Sequence, residues 1–283
     1  MQHKAFQANS IERQGSPKTS TNRRADIGIL CVTPSELRAL QTAMKSLPDF
    51  VEEKKSEYFS ASLPGEGCDH RVVMTFCVDP GNVSAALTTE KFLTKYRPRL
   101  LMMLGMAGSI NDDAKLLDVG ISTQVIYYEK GKERDSGVSS RLESMPISAT
   151  LRRIVTAFLA SQGAPQAKIE YDDDGSTHCF GLLEGPIGTG EAIVGSTNSA
   201  ARNVVLQCND KAILVETEAW GVHRAVYEGS VARQSCKHVL TIKGVADRAD
   251  SAKDDSRQYR ATRNAFETLR AILRTVGSRD LAS

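Results

Sequence analysis

The sequence predicts an α/β sandwich. Three observations carry that expectation: short, continuous apolar runs of strand length recur along the chain, amphipathic helical patterns separate them, and 283 residues suffice to bury one large core. A hydrophobic fraction of 41% beside 25% charged residues is ordinary globular usage, which sets aside disordered and membrane-protein compositions.

Residues 1–25 are rich in Ser, Thr, Gln, Asn, Lys and Arg and offer little apolar surface to offset the entropy of ordering. They are expected to form a flexible tail, with residues 26–283 as one folded domain. At Ile27 the pattern changes to IGILCV, the length and β-branching of a buried strand, and a helix follows from near Pro34. Further strands are expected at Val72–Val78, Leu100–Leu104, Val119–Ile126, Ile213–Val215 and Val239–Lys243; most are unbroken apolar runs, as in a sheet covered on both faces. Helical patterns occupy Gly81–Tyr96, Ile147–Leu159, Val194–Val205 and about Ser256–Val276. In the last, Tyr259, Phe266, Leu269, Leu273 and Val276 recur every three to four residues, with Ser256 placed to cap the start and Gly277 suited to the end. Tyr128–Asp174 is the least regular stretch, with polar runs EKGKERDSGVSSR and EYDDDGST of the kind that carry specificity.

A formal net charge of +2, part of whose basic excess lies in the first 24 residues, is too small for a surface that coats nucleic acid. No signal-peptide core or membrane-length apolar run is present, and the six cysteines form no CxxC pair, which suits a reducing, cytoplasmic setting. The five histidines show no metal-ligand spacing, and Asp172–Asp174 reads as a solvated turn rather than a calcium loop, so no metal is expected. Trp220 is expected to serve packing more than a ligand.

Acidic or glycine-rich segments fall where strands end: TPSEL after the first, GMAGSI after Leu104, VETEA after Leu214 and KGVADRAD after Ile242. Ligands of open α/β folds gather at such ends. Taken singly each is weak, since a Glu opening a helix commonly answers the helix dipole and Asp247 or Asp250 could cap a turn.

Together and in this order, the segments resemble the nucleoside phosphorylase superfamily, particularly its methylthioadenosine/S-adenosylhomocysteine nucleosidase branch, from Ile27 to about Val276. The resemblance implies a single three-layer α/β/α domain with a mixed central sheet, no cofactor, and a homodimer. It makes Glu36 of IGILCVTPSEL the catalytic Glu, and Asp247 of IKGVADRAD the catalytic Asp. It assigns the glycine turn to Met106, Ala107 and Gly108, base contacts to Ile193 and Val194 of GPIGTGEAIVG, and the ribose-binding acidic segment to Glu216, Thr217 and Glu218. Three positions depart from relatives: Ile193 stands where an aromatic residue is frequent, Thr217 where Met is usual, and Ala246 where a Ser commonly precedes the Asp.

Chemistry gives these residues work. Breaking an N-glycosidic bond develops positive charge on the sugar and negative charge on the departing base. Asp247, if protonated, can donate to N7 of a purine; Glu36, if ionised, can deprotonate a water and stabilise the sugar cation; Glu218 can accept from the ribose hydroxyls. Phosphorolysis would instead need cations and donors to hold phosphate; where the hexameric phosphorylases that the chain resembles carry an Arg and a Ser around the glycine turn, it has Met103 and Met106, and Glu36 would repel phosphate. The expectation is hydrolytic release of a purine base, adenine foremost, from a nucleoside or nucleotide. Phosphorolysis through a rearranged site using Arg38, Lys115 or a residue of the irregular segment, and an inactive nucleotide-sensing module, remain as alternatives. The AD, KDD and terminal-helix pattern also resembles superfamily domains that deplete nucleotides in bacterial defence.

Overall fold

The computed structural model describes residues 24–53, 57–135, 137–233, 236–250, 255–277 and 279–281. The stretch expected to be a flexible tail lies outside them except for its last two residues. Ala25 is buried and its amide donates to the Tyr96 carbonyl at 3.0 Å, so packed chain begins ahead of the expected boundary at 26.

The elements run β1 (Ile27–Cys31), α1 (Pro34–Lys45), β2 (Val51–Glu52), β3 (Phe59–Gly65), β4 (Cys68–Phe76), α2 (Asn82–Tyr96), β5 (Leu100–Ser109), β6 (Val119–Tyr127), β7 (Gly131–Arg134), β8 (Gly137–Ser140), β9 (Glu143–Pro146), α3 (Ala149–Ser161), β10 (Lys168–Asp173), β11 (Ser176–Thr189), α4 (Ala200–Cys208), β12 (Leu214–Glu216), α5 (Ala219–Arg233), β13 (His238–Asp247) and α6 (Gln258–Leu273). The sheet is mixed: β1 lies parallel to β4 and β5, β13 is parallel to β5, and β6 runs antiparallel to β13. Its order is β10-β11-β6-β13-β5-β1-β4-β3-β2, with β12 joining β11 to β5 and β9 beside β6.

Strand alternation builds the layers. Ile27, Ile29 and Cys31 of β1 point into a core with α1, α3 and α6, whereas Leu30 faces a second core with α2 and α5. Side chains shut away there, such as Phe92 and Phe266, stabilise the fold by about 1.5–3 kcal/mol each. The continuous apolar runs in the sequence are the signature of these strands covered on both sides.

Several elements differ from expectation: helix α5 and strand β3 lie where no element was expected, and three expected stretches take another form. The helix expected from Val194 begins at Ala200, because Gly195 favours a loop and Ser199 caps the start by accepting from the Arg202 amide at 3.1 Å. The last helix starts at Gln258 after a 3-10 turn over Asp255–Arg257, so Arg257 rather than Ser256 stands in the capping position, where its side chain makes no cap hydrogen bond. The polar run EYDDDGST is a β10–β11 hairpin whose turn residues Asp174 and Gly175 have φ of 50° and 75°. An Asp-Gly pair with left-handed backbone is a strong hairpin signal, here hidden by the acidic run. Asp173 is not merely solvated: Arg260 of α6 reaches it at 2.9 Å and Arg263 at 3.6 Å, tying the hairpin to α6.

Candidate active site

The turn after β1 aims a carboxylate into the molecule. Thr33 caps α1 by accepting from the Glu36 amide at 3.2 Å, Pro34 occupies the first helical position, and Glu36 accepts in return from the Thr33 amide at 2.9 Å. This capping box leaves Glu36 only 2% exposed, and its oxygens also accept from the Val32 amide at 2.8 Å and the Met106 amide at 2.9 Å. A Cβ at position 105 would stand 1.9 Å from Glu36 Oε1, so Gly105 gives the carboxylate its space on β5.

Lys243 is the counter-charge. It points from β13 into the interior, 1% exposed, with Nζ 3.9 Å from Glu36 Oε1 and 3.8 Å from Glu216 Oε2. Burial pulls its ammonium toward neutrality, but Glu36, Glu216 and Glu218 outweigh that and hold it above the ordinary lysine range. For Glu216 burial dominates and pushes its carboxyl up; Lys243 opposes the shift and Glu218 adds to it. Glu216 also accepts from the Glu218 amide at 3.0 Å and the Ala219 amide at 2.9 Å, closing the start of α5.

Glu218 turns the other way, accepting from the Gly81 amide at 3.0 Å and from the Thr217 hydroxyl. At the end of β13, Asp247 Oδ1 accepts from the Ala249 amide at 2.8 Å and sits against Gly108. A carboxyl anchored through one oxygen can present the other to a ligand.

These groups converge on a cavity of about 320 Å³. Glu36, Glu216, Thr217, Glu218 and Asp247 line it, with Met106, Ala107 and Gly108 along one wall and Ile193 and Val194 from the loop after β11. Every site residue singled out in the sequence therefore borders one space, of a size at the small end for small-molecule sites. Ile193 is 73% exposed, so it offers the cavity an aliphatic edge rather than a stacking face. Among the described residues, the ionisable side chains lining the cavity are Glu36, Tyr128, Glu216, Glu218 and Asp247; none is a cation.

Neither cation considered for a rearranged phosphate site is there. Arg38 is exposed over the Tyr259 ring, 5.6 Å from its centroid, and Lys115 lines a separate, larger groove of about 1260 Å³ together with Lys168, Lys211, Asp113, Asp118, Glu184 and Asp210. Trp220 stacks on Tyr127 at 5.5 Å and is absent from the cavity wall. No group of three or more His, Cys, Asp or Glu side chains among the described residues is arranged to hold a metal, and no described helix is long and apolar enough to cross a membrane.

Sequence reasoning missed Lys243, Thr33, Tyr128, Gln258 and Asn82. One signal was present: a lysine inside VLTIKGVA interrupts a strand buried on both faces, and a buried charge requires a partner. Thr33, Tyr128 and Gln258 line the cavity, whereas Asn82 stands behind it, bonded to the Gly190 carbonyl at 3.0 Å.

Known proteins resemble this chain in sequence and in fold. The chain is 25% identical over 245 residues to the ATP nucleosidase Cap17 of Escherichia coli (strain KTE188), covering 81% of this chain but 47% of that protein. It thus spans about half the length of that curated relative. It is 24% identical over 227 residues to the 5′-methylthioadenosine/S-adenosylhomocysteine nucleosidase of Treponema pallidum (strain Nichols), covering 71% of this chain and 78% of the relative. In fold it matches the nucleosidase of that name from Neisseria meningitidis, solved with methylthio-immucillin-A, at a TM-score of 0.66 and 17% identity over 88% of this chain and 99% of that one. The model of a family described as the phosphorylase superfamily matches residues 26–275, from the strand before Glu36 to beyond α6. A match over that span makes this chain a member of the phosphorylase superfamily.

Proposed function

We propose that the chain is a hydrolytic N-glycosidase that releases the base, adenine foremost, from a purine nucleoside or nucleotide. One observation carries this: four carboxylates line one small cavity that no cationic side chain among the described residues enters. Such a lining suits a sugar that becomes positive and repels a phosphate nucleophile.

In this mechanism the base lies between Asp247 and the loop bearing Ile193 and Val194, and the ribose over Glu218. Asp247 gives its proton to N7 as the C1′–N9 bond breaks and its electron pair passes to the base. Water held by Glu36 attacks C1′ from the opposite face and leaves its proton on Glu36. Glu218 accepts from the ribose hydroxyls. Lys243 lets Glu36 and Glu216 remain together in a dry site, since two buried carboxylates without a counter-charge would resist ionisation.

The similarity to an enzyme named ATP nucleosidase supports including adenine nucleotides among the substrates, and with them a role as a nucleotide-depleting effector in bacterial defence. We also assign the chain to the cytoplasm, on the strength of its six free cysteines, and to a homodimer. Val83 and Leu87 stand exposed one turn apart on α2, and Tyr227 is exposed on the adjoining α5, which supports burial against a second copy. Light scattering of the purified protein decides the oligomer.

The activity test incubates purified protein with adenosine, inosine, methylthioadenosine, S-adenosylhomocysteine, AMP and ATP, with and without phosphate, following free base by chromatography beside Asp247→Asn. Base release without phosphate that disappears in the variant is the expected result. Release only with phosphate replaces this reading by phosphorolysis, and no release from any substrate replaces it by a binding role.

A further inference from the structure

The loop that carries Ile193 and Val194 is exposed over most of its length, yet one buried side chain beneath it bonds in several directions. Asn82, 5% exposed, opens α2 directly after Gly81. Its Nδ2 donates to the Gly190 carbonyl at 3.0 Å and to Glu191 Oε1 at 3.1 Å, while its backbone amide donates to Glu191 Oε2 at 3.3 Å. Its Oδ1 accepts from the Gly221 amide at 2.9 Å and from the Thr189 hydroxyl at 3.4 Å. Donors therefore face acceptors on both ends of the amide, which fixes its orientation.

The neighbouring Gly81 amide bonds Glu218, the carboxylate placed under the ribose. With glycine in the capping position, no side chain caps α2. Two carboxylates from distant parts of the chain take its first amides instead: Glu218 from the segment before α5 and Glu191 from the loop after β11. The positive end of the helix favours both. A Cβ on Gly221 would lie 2.0 Å from the Asn82 carbonyl oxygen, so α5 meets α2 at this point with no slack.

We propose that Asn82 is a positioning residue that sets the distance between the base-holding loop and the ribose-holding carboxylate. Substrate spans those two parts, and an enzyme that holds them at one spacing binds the nucleoside without having to order the loop first. Asn82 touches no reacting atom, so its loss weakens ground state and transition state alike and appears in KM rather than kcat. The assignment rests on the nucleosidase reading above.

The test uses the full chain and the purine substrate that wild type cleaves. Asn82→Asp sets a carboxylate against Glu191 and the Gly190 carbonyl, and is expected to raise KM about tenfold or more with kcat within about threefold. Adding Glu191→Gln to that variant gives the introduced carboxylate a donor again and should lower KM by about fivefold, a rescue that a general loss of packing cannot produce. Should Asn82→Asp fail to fold, the exposed Glu191→Ala is read instead, with an expected rise in KM of about threefold and unchanged kcat. Wild-type KM in Asn82→Asp or Glu191→Ala overturns the role of Asn82 while leaving the nucleosidase reading intact, as does a double variant no better than Asn82→Asp. A wild type that releases base from none of the substrates overturns the nucleosidase reading, and this assignment with it.

Discussion

Lys243 on β13 and Glu36 in the first turn of α1 face each other across 3.9 Å in a part of the molecule that water scarcely reaches. Removing one partner of such a pair strands the other charge. Lys243→Met leaves Glu36 and Glu216 buried without it and is expected to cost about 3–5 kcal/mol in urea unfolding. Lys243→Arg, which keeps the charge, should retain most of the stability; equal losses in both variants would show that shape matters more than charge.

Glu36→Gln and Asp247→Asn separate the two proton transfers. Each is expected to lower kcat by about 10²–10⁴-fold, the usual worth of a general acid or base, with free adenine still bound near its wild-type affinity. A variant retaining more than half of the wild-type rate would remove its residue from the mechanism.

Gly105→Ala pushes a methyl group onto Glu36 Oε1. Overpacking of this kind costs about 1–3 kcal/mol, and the carboxylate must swing away to relieve it. The expected pattern is a modest fall in melting temperature beside a much larger fall in base release. Activity that tracks folded fraction would mean that the position of Glu36 is not critical.

His223 ties acid stability to one buried ring, whose Nε2 lies 3.0 Å from Thr241 Oγ1. Burial pushes its pKa down to about 3, against about 6.5 in the unfolded chain. The unfolded state therefore takes up a proton first as pH falls. The stabilisation is present in full above about 6.5 and is lost toward pH 3 at up to about 1.4 kcal/mol per unit. Urea midpoints between those limits should fall less steeply in His223→Gln than in wild type, and parallel slopes would place the acid sensitivity elsewhere.

The parts legible in the sequence were those specified locally. IGILCVTPSEL marks a buried strand and the start of a helix within eleven residues, its likeness to the superfamily singles out Glu36, and Glu218 and Asp247 stand beside strands that read plainly as buried. What escaped depends on contacts made far along the chain. Asn82 looks like an ordinary helix-opening residue until Gly190 and Gly221 arrive from more than a hundred positions away, and Lys243 shows its role only when Glu36 and Glu216 flank it. The β10–β11 hairpin was obscured by charge, because Asp172 and Asp173 lower the apparent strand propensity that Arg260 restores through its ion pair.

The capping box at the head of α1 gives one side chain two employments, and this limits what sequence surveys of relatives can claim. Glu36 nucleates a helix as well as facing the cavity. A descendant that had ceased to turn over substrate would still be under pressure to keep this glutamate for the sake of its fold. Its retention in a relative is thus a poor marker of living catalysis; Asp247, whose bond to the Ala249 amide any short turn-forming side chain could replace, is the position at which decay should first become visible.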